Sequence, residues 1–231
     1  AKTAAKEAGK FLLENREALN KSIESSAKDT KLIADYKAEN LIKDIVINKS
    51  KYPILAEESG KSVDDLGDTF WVIDPLDGTA NYNRGIPICC VSIGLVRNMK
   101  PMLGVIYDFN NDHIYIGDKF SNISIMNGLP INVSDKEAKE DCILITGLPH
   151  KSDYSKESLS KMVKDMQTYK KVRMIGSAAI AACYIASGKG DIYKEKGIYL
   201  WDIIAGAAIV ESAGGNAEIS NLKENFQVDV V

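Results

Sequence analysis

The residues Phe70-Trp71-Val72-Ile73-Asp74-Pro75-Leu76-Asp77-Gly78-Thr79-Ala80-Asn81 decide how the rest of the chain is read. Four apolar residues run directly into an acidic knot. Phe70 to Ile73 predicts a buried strand, because the run is short, apolar and stopped by Pro75. Asp74 and Asp77 are then expected on a sharp turn. Pro75 fixes its own φ, and Gly78 permits a positive φ or a close backbone approach. Two carboxylates held at one strand end repel, and need either a shared proton or cations. Hard divalent ions such as Mg²⁺ take oxygen ligands, backbone carbonyls included. This segment offers two carboxylates, the Leu76 carbonyl, the Thr79 hydroxyl and the amides of Gly78 and Thr79. That set suits a metal pair and a phosphate, although an Asp-Gly pair by itself is only a common turn signal.

The chain has 231 residues, a length for one sizeable domain or two close-packed halves. Apolar residues make up 45%, enough for a full core and against disorder. A net charge of −3 with no long Lys/Arg block argues against a nucleic-acid surface. No apolar run approaches the ~20 residues of a membrane helix, and no signal-peptide pattern opens the sequence. Cys89, Cys90, Cys142 and Cys183 sit among apolar residues without a Cys-x-x-Cys pair, which disfavours zinc. They read as buried free thiols in a reducing cytoplasm. Strand neighbours point to opposite faces, so Cys89 and Cys90 cannot share one partner.

Residues 2–21 predict an amphipathic helix, and Ser22 to Lys31 a polar, mobile loop. Asp35 precedes an apolar stripe at helical spacing and on that ground alone reads as an N-cap. A short strand through Ile54-Leu55-Ala56 ends in Glu57-Glu58-Ser59, which in isolation reads as an exposed acidic loop. Ile88 to Val96, Met102 to Tyr107, Ile114 to Ile116 and Ile123 to Met126 predict strands, with Asn127-Gly128 as a hairpin turn. Together they form an antiparallel meander. Past about residue 140 the texture changes. Cys142 to Thr146, Val172 to Met174 and Asp191 to Tyr193 read as strands, alternating with helices at Ser155 to Met166 and from Gly176-Ser177-Ala178 to Ala186. That alternation implies a layered α/β half. Asp202, ahead of an Ala- and Gly-rich helix closed by Gly214-Gly215, again reads as an N-cap on spacing alone. With no repeat and no flexible linker, residues 1–231 are expected to form one domain with sub-halves of about 1–140 and 141–231.

Trp71 to Asn81 resembles the signature of the inositol monophosphatase family, metal-dependent and lithium-sensitive phosphatases of small phosphate monoesters. Trp201-Asp202-Ile203-Ile204-Ala205-Gly206, followed by Glu211-Ser212-Ala213-Gly214-Gly215, resembles that family's second signature. Glu57-Glu58-Ser59 is similar to its Glu-Glu-Ser. The resemblance runs from the first helix to about Ser220. Members continue with a further strand and helix, which implies a truncated C-terminus here. It implies an α/β (α+β) fold, a layered αβαβα sandwich of alternating helix and sheet layers.

By the same resemblance, two or three Mg²⁺ ions would be held by Glu57, Asp74, the Leu76 carbonyl, Asp77 and Asp202. Thr79, backed by Asp35, would activate the attacking water. Leu76, Asp77, Gly78, Thr79, Gly176, Ser177, Ala178, Glu195 and Asp202 would contact the substrate. Glu195 would accept hydrogen bonds from the alcohol's hydroxyls. The implied protein is a cytoplasmic homodimer acting on a small phosphate monoester, with no membrane or nucleic-acid partner. Inositol 1-phosphate or a similar polyol or sugar phosphate heads the expected substrates. Tyr199 stands where inositol-directed members often carry a His, so a 3'(2'),5'-bisphosphate nucleotidase, a fructose-1,6-bisphosphatase or a histidinol-phosphatase stays open. Two other classes stay open too: a regulatory binding protein with vestigial catalysis, and a structural calcium site.

Overall fold

The computed structural model describes residues 1–25, 30–148 and 153–231. From the N-terminus come helices α1 (Lys2–Glu14) and α2 (Arg16–Leu19), then strands β1 (Ser22–Ser25) and β2 (Thr30–Leu32). Helix α3 (Ile33–Ile47) leads to strands β3 (Ile54–Ala56), β4 (Gly60–Lys61) and β5 (Thr69–Asp77). The short α4 (Thr79–Arg84) precedes the meander β6 (Cys90–Arg97), β7 (Lys100–Asp108), β8 (His113–Asp118), β9 (Ile123–Met126) and β10 (Leu129–Pro130). The remaining elements alternate: β11 (Ile143–Thr146), α5 (Lys156–Met166), β12 (Lys171–Met174), α6 (Ala178–Ala186), β13 (Ile192–Tyr199), α7 (Leu200–Ser212), β14 (Ile219–Ser220) and β15 (Gln227–Val230).

The layers are αβαβα, as the family resemblance implies. Ala4, Ala5, Ala8 and Leu12 of α1 fall on one helix face and are fully buried. They pack with α3 on one side of an eight-stranded sheet ordered β10-β9-β8-β7-β6-β5-β3-β4. Helices α6 and α7 cover its other side and carry a second core, which extends to a five-stranded sheet ordered β12-β11-β13-β15-β14. A small cluster of Cys142, Leu144, Tyr169 and Met166 seats α5 on the outer face. Cys89 lies in the first core and Cys90 in the second, as strand alternation requires. All four thiols are free and buried.

Several expectations are corrected. The helix of residues 2–21 breaks at Asn15, whose Nδ2 donates to the Phe11 carbonyl at 2.9 Å and caps α1 there. Within Ser22 to Lys31, β1 and β2 pair antiparallel, while residues 26–29 lie outside the described residues. Strand β5 does not stop at Pro75. It runs to Asp77 through a bulge, in which Pro75 and Leu76 together face Val91 alone. Pro is tolerated because the neighbouring β3 ends opposite Ile73, so no ladder bond is lost on that side. The turn comes one residue later, at Gly78 with φ 85°. The Asn127-Gly128 turn holds: both residues have positive φ, as a two-residue hairpin needs.

One packing feature fixes the site from a distance. Gly94, Gly104 and Gly117 are cross-strand neighbours on β6, β7 and β8, forming a bare trough in which α7 lies. A Cβ at Gly104 would sit 2.7 Å from the Ala205 carbonyl carbon, and one at Gly117 would sit 2.7 Å from the Ile209 nitrogen. Neither neighbour is a flexible side-chain end. Gly104→Ala is therefore expected to destabilise the protein by about 1–3 kcal/mol, lowering the melting midpoint by several degrees, roughly 2–4 °C per kcal/mol at this size. A melting curve unchanged by the substitution would mean that α7 is not held by this trough.

Candidate active site

Strands β3 and β5 are parallel neighbours, so their C-terminal ends reach the same sheet edge. Glu57 follows β3, and its amide donates to the Ile73 carbonyl at 3.1 Å, continuing the ladder beside Asp74. This register brings residues separated by a long loop to one place. Glu39, a buried side chain of α3, accepts from the Glu58 amide at 2.8 Å and holds the acidic loop from behind.

Asp35 and Asp202 arrive from opposite helical layers by the same device. Neither is the N-cap that spacing suggests. Each is the third residue of its helix, the caps being Leu32 and Tyr199. Asp35 Oδ2 accepts from the Leu32 amide at 2.7 Å, and Asp202 Oδ2 from the Tyr199 amide at 2.8 Å. A carboxylate in this position favours the helix start, and one oxygen of each stays clear of the amide. For Asp35 that oxygen lies 3.1 Å from Thr79 Oγ1. Thr79 Oγ1 is also 2.9 Å from the Leu76 carbonyl, so one proton serves two acceptors.

Asp77 is tied to the start of α6. Its Oδ2 accepts from the Ser177 hydroxyl and from the Ala179 amide, the latter at 2.9 Å. Ser177 caps α6 by accepting from the Ile180 amide at 3.2 Å, and its proton is committed to Asp77. Asp74 Oδ1 accepts from the Leu76 amide at 2.9 Å inside the bulge. Asn81, given no role by the sequence reading, uses its amide nitrogen to bridge the Ile88 and Ile175 carbonyls, both at 2.8 Å. It fastens α4 to the segment that leads into α6.

These residues line a cleft of about 310 Å³. Glu57, Asp74, Asp77, Glu195 and Asp202 all face it, together with Leu76, Gly78, Thr79, Gly176, Ser177 and Ala178. Of the residues expected at the site, only Asp35 is absent from the lining; it stands directly behind Thr79. Thr146, Gly147, Tyr193, Tyr199 and Gln227 also line it. Of these, only Tyr199 carries a signal in the sequence, as the residue that stands where related phosphatases often have a His. Tyr199 is stacked on Trp201, with ring centres 4.7 Å apart and planes 5° from parallel.

No Lys, Arg or His is among the described lining residues. Burial pushes Glu57, Asp74 and Asp202 well above the ordinary carboxylate range, and mutual repulsion adds to it: Asp202 acts on Glu57, Glu57 on Asp74 and Asp77 on Asp202. Burial raises Asp77 too, against the hydrogen bonds from Ser177 and the start of α6. Asp35 is pushed up to about 7 by burial, with the charge of Glu58 adding and the Leu32 and Thr79 bonds opposing. Among the described residues no three acids, His or Cys are already grouped closely enough to hold an ion. The chemistry of the donor set nonetheless fits a hard cation: carboxylates and one carbonyl, no soft ligand, and an excess of negative charge.

The sequence model of the inositol monophosphatase family matches residues 1–226. The chain belongs to the inositol monophosphatase family. It is 33% identical over 227 residues to inositol monophosphatase 1 of Bos taurus, covering 93% of this chain and 80% of that protein. It is 35% identical to the Nus factor SuhB of Xylella fastidiosa, covering 92% of this chain and 78% of that one. Among solved structures, the extragenic suppressor protein SuhB of Bartonella henselae superposes with a TM-score of 0.87 at 30% identity, covering 99% of this chain and 90% of that chain. Inositol monophosphatase from Anabaena superposes with a TM-score of 0.82 at 32% identity, covering 99% and 87%. Family membership assigns the chain phosphatase chemistry on small phosphate esters. No helix among the described residues is long and apolar enough to cross a membrane.

Proposed function

We propose that this chain is a Mg²⁺-dependent phosphatase of polyol monophosphates, with inositol 1-phosphate as the first candidate substrate. The observation that carries this reading is the cleft itself: five carboxylates, with no basic side chain among the described lining residues, beside a Thr79 hydroxyl backed by a buried carboxylate. Glu57, Asp74, the Leu76 carbonyl, Asp77 and Asp202 would hold two or three Mg²⁺ ions. When bound, such ions stabilise charge on phosphoryl oxygens and acidify water. Asp35, ionised, draws the Thr79 proton, and Thr79 Oγ1 then orients the attacking water. The water oxygen bonds to phosphorus as the bond from phosphorus to the alcohol oxygen breaks in line with it; the water's proton passes by way of Thr79 to Asp35, and the departing alkoxide takes its proton from solvent. The Gly78 and Thr79 amides, at the unsatisfied start of α4, bind phosphate oxygens. No phosphoenzyme forms.

Thr79→Ala and Asp35→Asn are each expected to lower kcat by about 10²–10³-fold, with the double variant no worse than either single one, because the two act as a unit. Additive losses, measured as initial rates of phosphate release, would contradict the pairing.

The relatives named Nus factor SuhB support a second reading, a binding protein with vestigial catalysis. Against it, every expected ligand position is filled by an oxygen donor, Glu57, Asp74, Asp77 and Asp202 included. Phosphate release from inositol 1-phosphate, a 3',5'-bisphosphonucleotide, fructose 1,6-bisphosphate and histidinol phosphate tests the assignment. The reading expects inositol 1-phosphate to lead. A better bisphosphate substrate would favour the nucleotidase or fructose-bisphosphatase branch, and no release from any would favour the binding protein. We extend the reading to a lithium-sensitive homodimer of the cytoplasm. Sedimentation showing only monomer would overturn the dimer.

A further inference from the structure

We propose that Tyr193 is a specificity-determining positioning residue, holding the Glu195 carboxylate so that it accepts a hydrogen bond from a free hydroxyl on the alcohol part of the ester. This rests on the phosphatase reading above, and it assigns to a residue outside the substrate-contacting set the task of orienting the group that reads the alcohol.

Tyr193 and Glu195 are two apart on β13 and share a face, and both line the cleft. Lys194, between them, turns to the other side and pairs with Asp165. Parallel pairing of β11 with β13 sets Thr146 against Lys194, and the Thr146 hydroxyl donates to the Lys194 carbonyl at 2.6 Å. The strand is thereby pinned at the residue joining the pair. Tyr193 is 6% exposed, and its hydroxyl donates to Glu195 Oε2 at 2.8 Å. Burial first, and then the charge of Glu195, keep the phenol protonated, so it acts as a donor.

Room for the carboxylate comes from Gly147, just past β11. A Cβ there would lie 2.6 Å from Glu195 Cδ, so any larger residue would evict the side chain from its place. One oxygen of Glu195 carries the Tyr193 bond. The other is placed to accept from the substrate, with no cationic side chain among the described lining residues to compete for it. A carboxylate there attracts a hydroxyl donor and repels a second phosphate. This end of the cleft therefore selects monophosphates with a neighbouring hydroxyl over bisphosphates.

The test compares inositol 1-phosphate with p-nitrophenyl phosphate, whose leaving group has no free hydroxyl, under saturating Mg²⁺. Tyr193→Phe is expected to raise KM for inositol 1-phosphate by about 10-fold, with kcat changed less than about twofold and p-nitrophenyl phosphate unaffected. In the Glu195→Gln background the same substitution is expected to add nothing. Gly147→Ala, which displaces Glu195 by a different route, is expected to give the same substrate-selective loss. Equal losses on both esters would mean a merely structural role and overturn the proposal. So would an unchanged KM for inositol 1-phosphate. Absence of Mg²⁺-dependent release by the parent protein from both esters would overturn the phosphatase reading itself, and is distinguishable from either.

Discussion

Replacing Asp77 by Asn is expected to lower Mg²⁺-dependent phosphate release by about a thousandfold, while leaving a folded protein. The side chain keeps its volume and can still accept from Ser177 and from the Ala179 amide through its carbonyl oxygen. What is lost is one negative charge at the junction of β5 and the start of α6. A bound cation contributes several kcal/mol of charge stabilisation to phosphoryl transfer, and each ~1.4 kcal/mol is tenfold in rate. Calorimetric titration with Mg²⁺ alone should show the affinity falling with the rate. If the variant kept full activity, or lost activity while binding Mg²⁺ unchanged, Asp77 would not be a ligand.

The second large effect is on stability. Asp35 and Glu195 are pushed up to about 7 by burial, and Glu57, Asp74, Asp77 and Asp202 are raised as well. In the unfolded chain all of them titrate near 4. A carboxyl whose folded pKa is raised binds its proton more tightly in the folded state. Its contribution is fully present below about pH 4, and is lost as pH rises through the folded value, about 7 for Asp35 and Glu195. Protein stripped of metal should therefore melt lower at pH 8 than at pH 6. Divalent cations replace the protons, so Mg²⁺ should raise the melting midpoint more at pH 8 than at pH 5. At about 100 times its dissociation constant, the ion adds roughly 2.7 kcal/mol, or about 5–10 °C for a chain of this size. A Mg²⁺ shift that is absent, or larger in acid, would contradict a site made of these carboxylates.

The parts of the site that could be read from the sequence are those that lie next to one another in it. Asp74, Leu76, Asp77, Gly78 and Thr79 form one run, and their donor chemistry is visible without a fold. Glu57, Asp202 and Asp35 needed the family resemblance, because an acid before an apolar stripe looks the same whether it caps a helix or serves a site. The structure shows why spacing misleads. As third helical residues, Asp35 and Asp202 favour their helix starts with one oxygen and turn the other away from the amide. A proline ordinarily marks a strand end, and the missing partner strand that lets β5 run on through Pro75 leaves no sign in the local sequence. Asn81, Gly147 and Tyr193 carry no legible sequence signal, for a related reason. Their contacts depend on which strands pair and on how closely backbones approach, and neither leaves a local pattern. The short strands β1, β2 and β14 carry too few apolar residues for alternation to show.

The most direct test of the central claim is phosphate release from inositol 1-phosphate by protein treated with a chelator, before and after Mg²⁺ is restored. No release before and full release after is the predicted result. Equal release in both states would contradict a metal-dependent acidic cleft, as would a folded protein that stays inactive when Mg²⁺ is returned.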